Sequence, residues 1–257
     1  MAVDHNDSIS QPKRAEIQPA FSHIIECVVT NLTHCFPELI HSLYVYGSVA
    51  EGRAEAGKSD LDMTVIFKHE PDQATKEQFA TVQSILEKNN PVISKIDFDC
   101  GLLGQVLDPD NVLSWGYWIK HHCHCVYGED LSHRFQAFKP SKAIAVAVNG
   151  DFMQVLGKLV IQMKTSSDEN KKLQLQRSAA RKLVRATNIL RSEQDNDWPD
   201  SLQEYRTKFN SRYPALAEDM DYLLEMSTEP RGGIADFEKR VMAFARWLSS
   251  EFNSQKA

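Results

Sequence analysis

Apolar positions in the first half of the chain alternate between helical and strand spacing. From residue 17 they fall on one helical face up to about Cys35, and the helix ends before Pro37. Shorter runs that favour β-structure follow, separated by a glycine-containing loop and an amphipathic segment. The elements predicted in this part are a helix to about Cys35, strands over 43–46 and 60–67, a helix over 75–87 and a strand over 92–100.

After about residue 140 the strand pattern stops and only helical spacing remains. The apolar stripes lie within residues 148–163, 179–190, 202–209, 216–224 and 237–252. Five such helices joined by polar turns predict an antiparallel bundle. The chain is therefore predicted to be α+β, with one domain over residues 1–138, of which 1–13 are polar and frayed, and a helical domain over residues 139–257.

Composition and charge narrow the class of protein. The 257 residues are 42% hydrophobic and 25% charged, as in an ordinary soluble globular protein. The net charge of −6 provides no global positive field for binding long duplex nucleic acid. Residues 1–138 carry 10 basic and 19 acidic side chains, whereas residues 139–257 carry 19 and 16. This asymmetry indicates separate roles, one in holding cations and the other in holding anionic phosphate.

The cysteine content and the first residues of the sequence predict the cellular compartment. The number of cysteines is odd, without a disulfide framework, which is typical of free thiols in a reducing environment. No secretory signal begins the sequence, and no stretch approaches the ~20 apolar residues that span a bilayer. We therefore expect a cytoplasmic protein without a membrane partner. The cysteines are Cys27, Cys35, Cys100, Cys123 and Cys125.

The segment with the most chemical information is residues 44–67. Gly47 and Ser48 come directly after a predicted strand, and Asp60 and Asp62 begin the next strand two residues apart. Side chains two apart on a strand lie on one face, where two carboxylates repel each other unless a cation lies between them. Hard oxygen ligands suit Mg²⁺ with phosphate, and a Gly-Ser turn offers N–H groups and a hydroxyl to phosphate oxygens.

Each of these features alone has a simpler interpretation. An isolated Asp-x-Asp pair is typical of a solvated strand end, and a Gly-Ser turn is common in loops. Their conjunction is more specific, because the turn, the loop and the acidic pair entering an apolar strand occur in that order within residues 44–67. The combination favours a site for a metal-bound phosphate. The chain contains no Walker loop, so the Gly-Ser turn would have to hold a triphosphate.

This segment resembles the Gly-Ser…Asp-x-Asp motif of the DNA polymerase β-like nucleotidyltransferase superfamily. Within it, the likeness is greatest to the small bacterial adenylyltransferases that modify aminoglycosides. The resemblance implies a small mixed β-sheet in the catalytic domain, ATP as co-substrate and two Mg²⁺ ions. Carried over by position, it implies phosphate contacts from Gly47, Ser48 and Ser59 and metal ligation by Asp60 and Asp62.

The family also uses a third carboxylate on a neighbouring strand, as metal ligand or general base. The predicted strand ending at Cys100 offers Asp97 and Asp99, which share a face by alternation. We prefer Asp97 because it is nearer the middle of the apolar run, and Asp99 remains the alternative. The implied catalytic and metal-binding set is thus Asp60, Asp62 and Asp97.

Two further segments resemble the same enzymes. Residues 115–131 are similar to the aromatic-rich helix and Tyr-Gly-Glu/Asp-Asp-Leu turn that close the catalytic domain. Residues 177–190 are similar to part of the helical bundle, which in these relatives completes the substrate cleft. The resemblance therefore covers most of the chain past residue 15, and the Asp-x-Asp segment is its strongest part.

A basic helix and a His/Cys run each have two interpretations. Arg177, Arg181 and Arg185 share one face of the helix over 171–191, either as a solvated surface or as a cationic wall. Lys182 and Arg185 flank its apolar stripe and are the residues we expect to bind the triphosphate. The run 121–125 contains five His or Cys residues, but none follow His133, so we interpret it as packing and not as a zinc site.

The predicted function is Mg²⁺-dependent transfer of AMP from ATP to a hydroxyl of a small acceptor, with release of pyrophosphate. An aminoglycoside-like acceptor is the first expectation, and another hydroxylated metabolite or a protein side chain stays open. A non-catalytic or regulatory module with this fold is an alternative. Extension of RNA ends is disfavoured by the acidic net charge.

Overall fold

The computed structural model of the chain describes residues 3–11 and 17–255. The chain divides into two compact units, one formed by Ser10–Phe138 and the other by Lys139–Ala257 together with Met1–Ile9. The first unit contains the sheet, and the second is helical. We describe each by itself.

The described N-terminal residues form a small turn. Val3 and Ile9 make an isolated antiparallel bridge, and the Asp4 carboxylate accepts the N–H groups of Asn6 and Ser8. Ile9 is only 2% exposed, so its apolar side chain fixes this segment. The prediction that the first residues are frayed is therefore wrong for residues 3–9. Residues 1, 2, 12 and 13 of the predicted frayed segment lie outside the described residues.

A small mixed sheet organises the first unit. Its strands are β1 (Ile40–Tyr46), β2 (Leu61–Phe67), β3 (Ile96–Leu102) and β4 (His124–Gly128), in the order β3-β2-β1-β4. β1 pairs antiparallel with β2 and β4, whereas β2 and β3 are parallel. The prediction of an α+β fold with a small mixed sheet is confirmed.

The helices of this unit are α1 (Pro19–Cys35), α2 (Gly47–Ala50), α3 (Gln73–Asn89), α4 (Leu103–Val106) and α5 (Tyr117–His122). The predicted helices correspond to α1 and α3. α3 begins just after Asp72, because the Asp72 carboxylate accepts the N–H of Thr75 and caps the helix. The apolar pattern alone did not reveal this cap. The predicted glycine loop instead starts as the single turn of α2.

The strand predictions need correction at three strands. β1 begins at Ile40 and not at residue 43. β3 begins at Ile96 and not at residue 92, because Pro91 opens a turn before it. β4 was not predicted at all. It is five residues long at a sheet edge and has no fully buried position, so it lacks the apolar alternation that identifies strands.

The sheet has two different faces. Leu61, Met63 and Val65 of β2 are fully buried in a core shared with α1 and α3. The intervening positions Asp62 and Thr64 lie on the opposite face, where Ile119 of α5 covers part of the sheet. The predicted assignment of β2 side chains to an apolar and a polar face is confirmed.

The helical unit consists of α6 (Lys142–Asn149), α7 (Phe152–Thr165), α8 (Glu169–Ala186), α9 (Leu202–Arg212), α10 (Ala217–Met226) and α11 (Ile234–Ser254). Where one helix was predicted over 148–163, the chain breaks at Gly150 and Asp151 between α6 and α7. The helices share one apolar core, which includes Leu156, Met163, Ala179, Leu183, Met220, Leu223, Val241 and Leu248.

One helical stretch of the described chain, Lys142–Thr165, is long and apolar enough by composition to cross a membrane. This differs from the expectation that no stretch approaches that length. The stretch is α6 and α7 together, and four side chains of α7 are buried in the core of the helical unit. Core helices of soluble domains have the same length and composition, so the observation does not by itself indicate a membrane protein.

Candidate active site

Gly47 links β1 to α2 at the point where the backbone turns sharply. Its φ of +71° is a left-handed conformation that only glycine adopts readily. A Cβ at this position would collide with Oδ2 of Asp62 and lie 3.2 Å from its Cγ. Glycine is therefore required here for two reasons, the turn itself and the close approach of the Asp62 carboxylate.

Strand register brings the acidic residues together. Asp62 of β2 is directly opposite Asp97 of β3 and Tyr46 of β1. Asp60 precedes β2 by one residue, and its side chain and that of Asp97 are 34% and 47% exposed. Asp60, Asp62 and Asp97 thus occupy one end of the sheet, beside the turn at Gly47.

The loops before β2 and β3 also lie side by side. The N–H of Ser94 donates to the carbonyl of Ser59 at 3.0 Å, and the N–H of Leu61 donates to the carbonyl of Lys95 at 2.9 Å. These bonds extend the parallel pairing of the two strands backward into their loops. Residues 94 and 95 are therefore held close to residues 59 and 60.

Side chains of α3 fix the start of β3. Gln83 Nε2 donates to the carbonyl of Ile96 at 2.8 Å, and Glu87 Oε1 accepts the N–H of Ile96 at 2.8 Å. Both main-chain groups of Ile96 on the side away from β2 are thereby satisfied. The residues on either side of it, Lys95 and Asp97, consequently have a fixed backbone.

A lysine contacts two of the three carboxylates. Nζ of Lys95 donates a hydrogen bond to Asp97 Oδ2 and lies 3.5 Å from Asp60 Oδ2, while Ser94 Oγ donates to Asp60 Oδ1. Burial lowers the pKa of Lys95, but its hydrogen bond to Asp97 and the charges of Asp97 and Asp60 outweigh burial and raise that pKa. The ammonium is therefore fully charged at neutral pH.

The carboxylates suit a divalent cation, although the described residues contain no ready-made cage of three His, Cys, Asp or Glu ligands. Lys95 lies between Asp60 and Asp97, so these oxygens surround an ammonium in this arrangement. Aspartate oxygens are the donors that Mg²⁺ prefers, and this group already attracts a positive charge. The residues therefore fit Mg²⁺ in chemistry.

Asp99 is level with Thr64 and not with Asp62. Of the two candidates for the third carboxylate, Asp97 is thus the one beside the Asp62 position. Burial, followed by the charges of Asp99, Asp62 and Asp97, raises the pKa of Tyr46 far above its ordinary value. Tyr46 therefore stays a neutral phenol next to the acidic group.

Trp118 of α5 forms an aromatic wall beside this end of the sheet. Its ring meets Tyr46 edge-on at a centroid distance of 4.8 Å and stacks on His122 at 4.8 Å. Its indole N–H donates to Thr64 Oγ1 at 3.0 Å, so the ring is fixed. Neither Tyr46 nor Trp118 was singled out from the sequence as a site residue.

The predicted phosphate ligands of the first unit have different surroundings. Ser48 is half-buried in the first turn of α2, where backbone N–H groups have no helical acceptor. The Ser59 hydroxyl accepts the N–H of Glu55 at 2.9 Å and so closes the turn before Asp60. Ser48 follows Gly47, the residue that lies against the Asp62 carboxylate. The Ser59 hydroxyl instead stabilises the turn before Asp60.

Several basic side chains of α8 form hydrogen bonds or ion pairs with neighbouring groups. Arg177 and Arg181 donate to the carbonyls of Thr228 and Ser227, just after α10. Lys182 donates to the Asp151 carboxylate at 2.7 Å and to the Val148 carbonyl. Most of the basic side chains predicted to form a cationic wall therefore bond to groups of the helical unit itself. Arg185 is exposed.

The His/Cys run is divided between α5 and β4. His121 is buried, its Nδ1 is 3.2 Å from the Ser10 carbonyl, and its Nε2 accepts the N–H of Phe138. Cys123 is buried beside Thr64, and burial raises the pKa of its thiol far above the usual range. These residues pack within the first unit at separate places.

A family model described as a nucleotidyltransferase domain matches residues 30–106. The matched range contains the turn at Gly47, both loops and the three aspartates. A search of curated proteins finds no match. The family match therefore concerns the sheet-containing unit, which also contains the geometry described above.

Among solved structures, the chain is similar to the spectinomycin adenyltransferase AAD(9) from Enterococcus faecialis, crystallised with ATP and spectinomycin. The TM-score is 0.58 at 12% identity, and the match covers 90% of this chain and 98% of that one. At this identity the likeness concerns the fold. It extends through the helical unit as well as the sheet.

Proposed function

We propose, from the match of residues 30–106 to a nucleotidyltransferase-domain model, that the chain is an Mg²⁺-dependent enzyme that transfers AMP from ATP to a hydroxyl of a small acceptor. Pyrophosphate is the second product. One observation carries the proposal: Asp62 lies in register with Asp97 and against the left-handed turn at Gly47. The absence of a Cβ at Gly47 lets the backbone approach the Asp62 carboxylate closely, as a phosphate-binding turn beside metal ligands requires.

Each residue then has a role in the reaction. The acceptor oxygen attacks the α-phosphorus, the bond to the pyrophosphate oxygen breaks, and the acceptor proton passes to the carboxylate of Asp97. Gly47 and Ser48 donate N–H groups and a hydroxyl to the phosphates. Asp60, Asp62 and Asp97 would hold Mg²⁺, which when bound would neutralise part of the triphosphate charge.

The proposed acceptor is a cationic hydroxylated molecule such as an aminoglycoside. Asp99 follows Asp97 on the same face of the edge strand and is exposed. A carboxylate in that position attracts an ammonium-bearing acceptor towards the reacting end of the sheet. The solved relative, which holds ATP and spectinomycin, supports an acceptor of this class.

Pyrophosphate release is the direct test of the proposed function. We expect release with ATP and Mg²⁺ that depends on one member of a panel of aminoglycosides and hydroxylated metabolites, with the three other NTPs much poorer. Mass spectrometry of that acceptor should show the addition of one AMP. Labelling of protein or bulk tRNA instead would assign a different acceptor. ATP binding without any pyrophosphate release would indicate a non-catalytic module.

Arg185 is proposed to bind the triphosphate, and its replacement tests the contribution of the helical unit. Because a lost charged contact to phosphate weakens ground-state binding, we expect Arg185→Ala to raise the KM for ATP about 10-fold with kcat less affected. Steady-state kinetics measure both. Arg246→Ala removes an exposed arginine of α11 and serves as the control. An unchanged KM in Arg185→Ala would exclude this role.

A further inference from the structure

Lys95 lies between two of the carboxylates. A metal ion bound to both of them would occupy the same position. Nζ of Lys95 hydrogen-bonds Asp97 and lies 3.5 Å from Asp60 Oδ2, and the lysine side chain is only 23% exposed. Most lysines in the described chain that form ion pairs contact one carboxylate. Lys95 instead contacts both Asp60, which precedes β2, and Asp97 of β3.

This position follows from the backbone and not from side-chain freedom. Lys95 is two residues before Asp97, so strand alternation aims both side chains at the same face. Its carbonyl accepts the N–H of Leu61, and the neighbouring Ile96 is held by Gln83 and Glu87 of α3. The fixed backbone therefore directs the Lys95 side chain towards the aspartates.

The charges explain what the ammonium does. Three aspartates at one end of a sheet repel one another, and partial burial makes this repulsion stronger than in water. An ammonium between two of them offsets part of that repulsion. A divalent cation that binds the same oxygens would have to displace it, because both need the same space.

We propose that Lys95 is a built-in counter-cation, which holds Asp60 and Asp97 together in the metal-free protein and competes with Mg²⁺ for them. This inference rests on the proposed function, since it takes the aspartates as the Mg²⁺ ligands. Lys95 is accordingly a positioning residue that sets the Mg²⁺ concentration the protein needs. It stabilises the metal-free site at the expense of metal affinity.

The experiment compares Lys95→Met with the wild-type protein in Mg²⁺ titrations without nucleotide, with thermal unfolding as the readout. In EDTA we expect Lys95→Met to unfold several degrees lower, because the aspartates lose their counter-charge. With Mg²⁺ alone we expect a larger rise in Tm and a midpoint about 10-fold lower in Mg²⁺ concentration. Lys95→Arg retains the charge and should stay close to wild type in both respects.

Lys76→Met is the matched control, because Lys76 forms an exposed ion pair with Glu70 elsewhere in the same unit. It should leave the Mg²⁺ midpoint unchanged. Lys95→Gln, which keeps a hydrogen-bond donor, gives the same test if the Met variant does not fold.

The outcomes separate the two proposals. A Lys95→Met variant that unfolds at lower temperature with an unchanged or higher Mg²⁺ midpoint would show a merely structural lysine and overturn the inference alone. If wild-type protein shows no Mg²⁺-dependent stabilisation and no Mg²⁺-dependent pyrophosphate release, the proposed function fails, and the inference fails with it.

Discussion

We expect replacement of Asp62 by Asn to abolish the proposed nucleotidyl transfer and to leave the fold intact. Asp62 lies between the Gly47 turn and Asp97, so its carboxylate is the central member of the acidic set. Asn has the same shape but no charge, and charge neutralisation is the main source of catalysis in phosphoryl transfer. We expect kcat to fall at least about 10³-fold, which corresponds to about 4 kcal/mol of transition-state stabilisation.

Pyrophosphate release measures the effect, and circular dichroism checks the fold. Asp72→Asn is the matched control, since Asp72 caps α3 at an exposed position and Asn is an equally good cap. That variant should keep wild-type kcat. Near-wild-type turnover by a folded Asp62→Asn protein would overturn the assignment of the site.

Gly47→Ala should be the second most damaging substitution. The left-handed φ of +71° costs alanine about 1–2 kcal/mol, which lowers the free energy of unfolding. The added Cβ also collides with Oδ2 of Asp62, so the carboxylate must move. Because a displacement of about 1 Å at a reacting centre is worth about 100-fold in rate, we expect kcat to fall by at least that factor.

Gly57→Ala separates the two causes. Gly57 has a similar φ of +76°, but the nearest atom to an added Cβ is the Pro91 carbonyl oxygen at 3.8 Å. This variant should lose comparable unfolding free energy in chemical denaturation and keep wild-type kcat. Equal loss of activity in both variants would mean that backbone strain, and not the position of Asp62, explains the effect.

Much of the fold was predictable because apolar periodicity reflects burial. The faces of β2 were assigned correctly, since alternation of buried Leu61, Met63 and Val65 leaves Asp62 and Thr64 on the other face. β4 escaped prediction because an exposed edge strand needs no apolar alternation. The break between α6 and α7 was missed because the apolar stripe continues on both sides of Gly150.

The geometry of the candidate site was predictable as far as local spacing determines it. Asp60 and Asp62 share a face from sequence alone, but the choice of Asp97 over Asp99 depends on the register of two strands separated by α3. Such register is set by packing and not by local pattern. The ion pairs of Lys95 were not predicted for the same reason, although its position two residues before Asp97 indicated a shared face.

The hydrogen bonds from α3 to Ile96 also affect the open edge of the sheet. β3 forms one outer boundary of the sheet, and open strand boundaries invite other chains to add a strand. Gln83 and Glu87 occupy the main-chain amide and carbonyl there, so an incoming segment finds no partner at that end. An added strand therefore cannot pair with β3 at Ile96, where both outward main-chain groups already have partners.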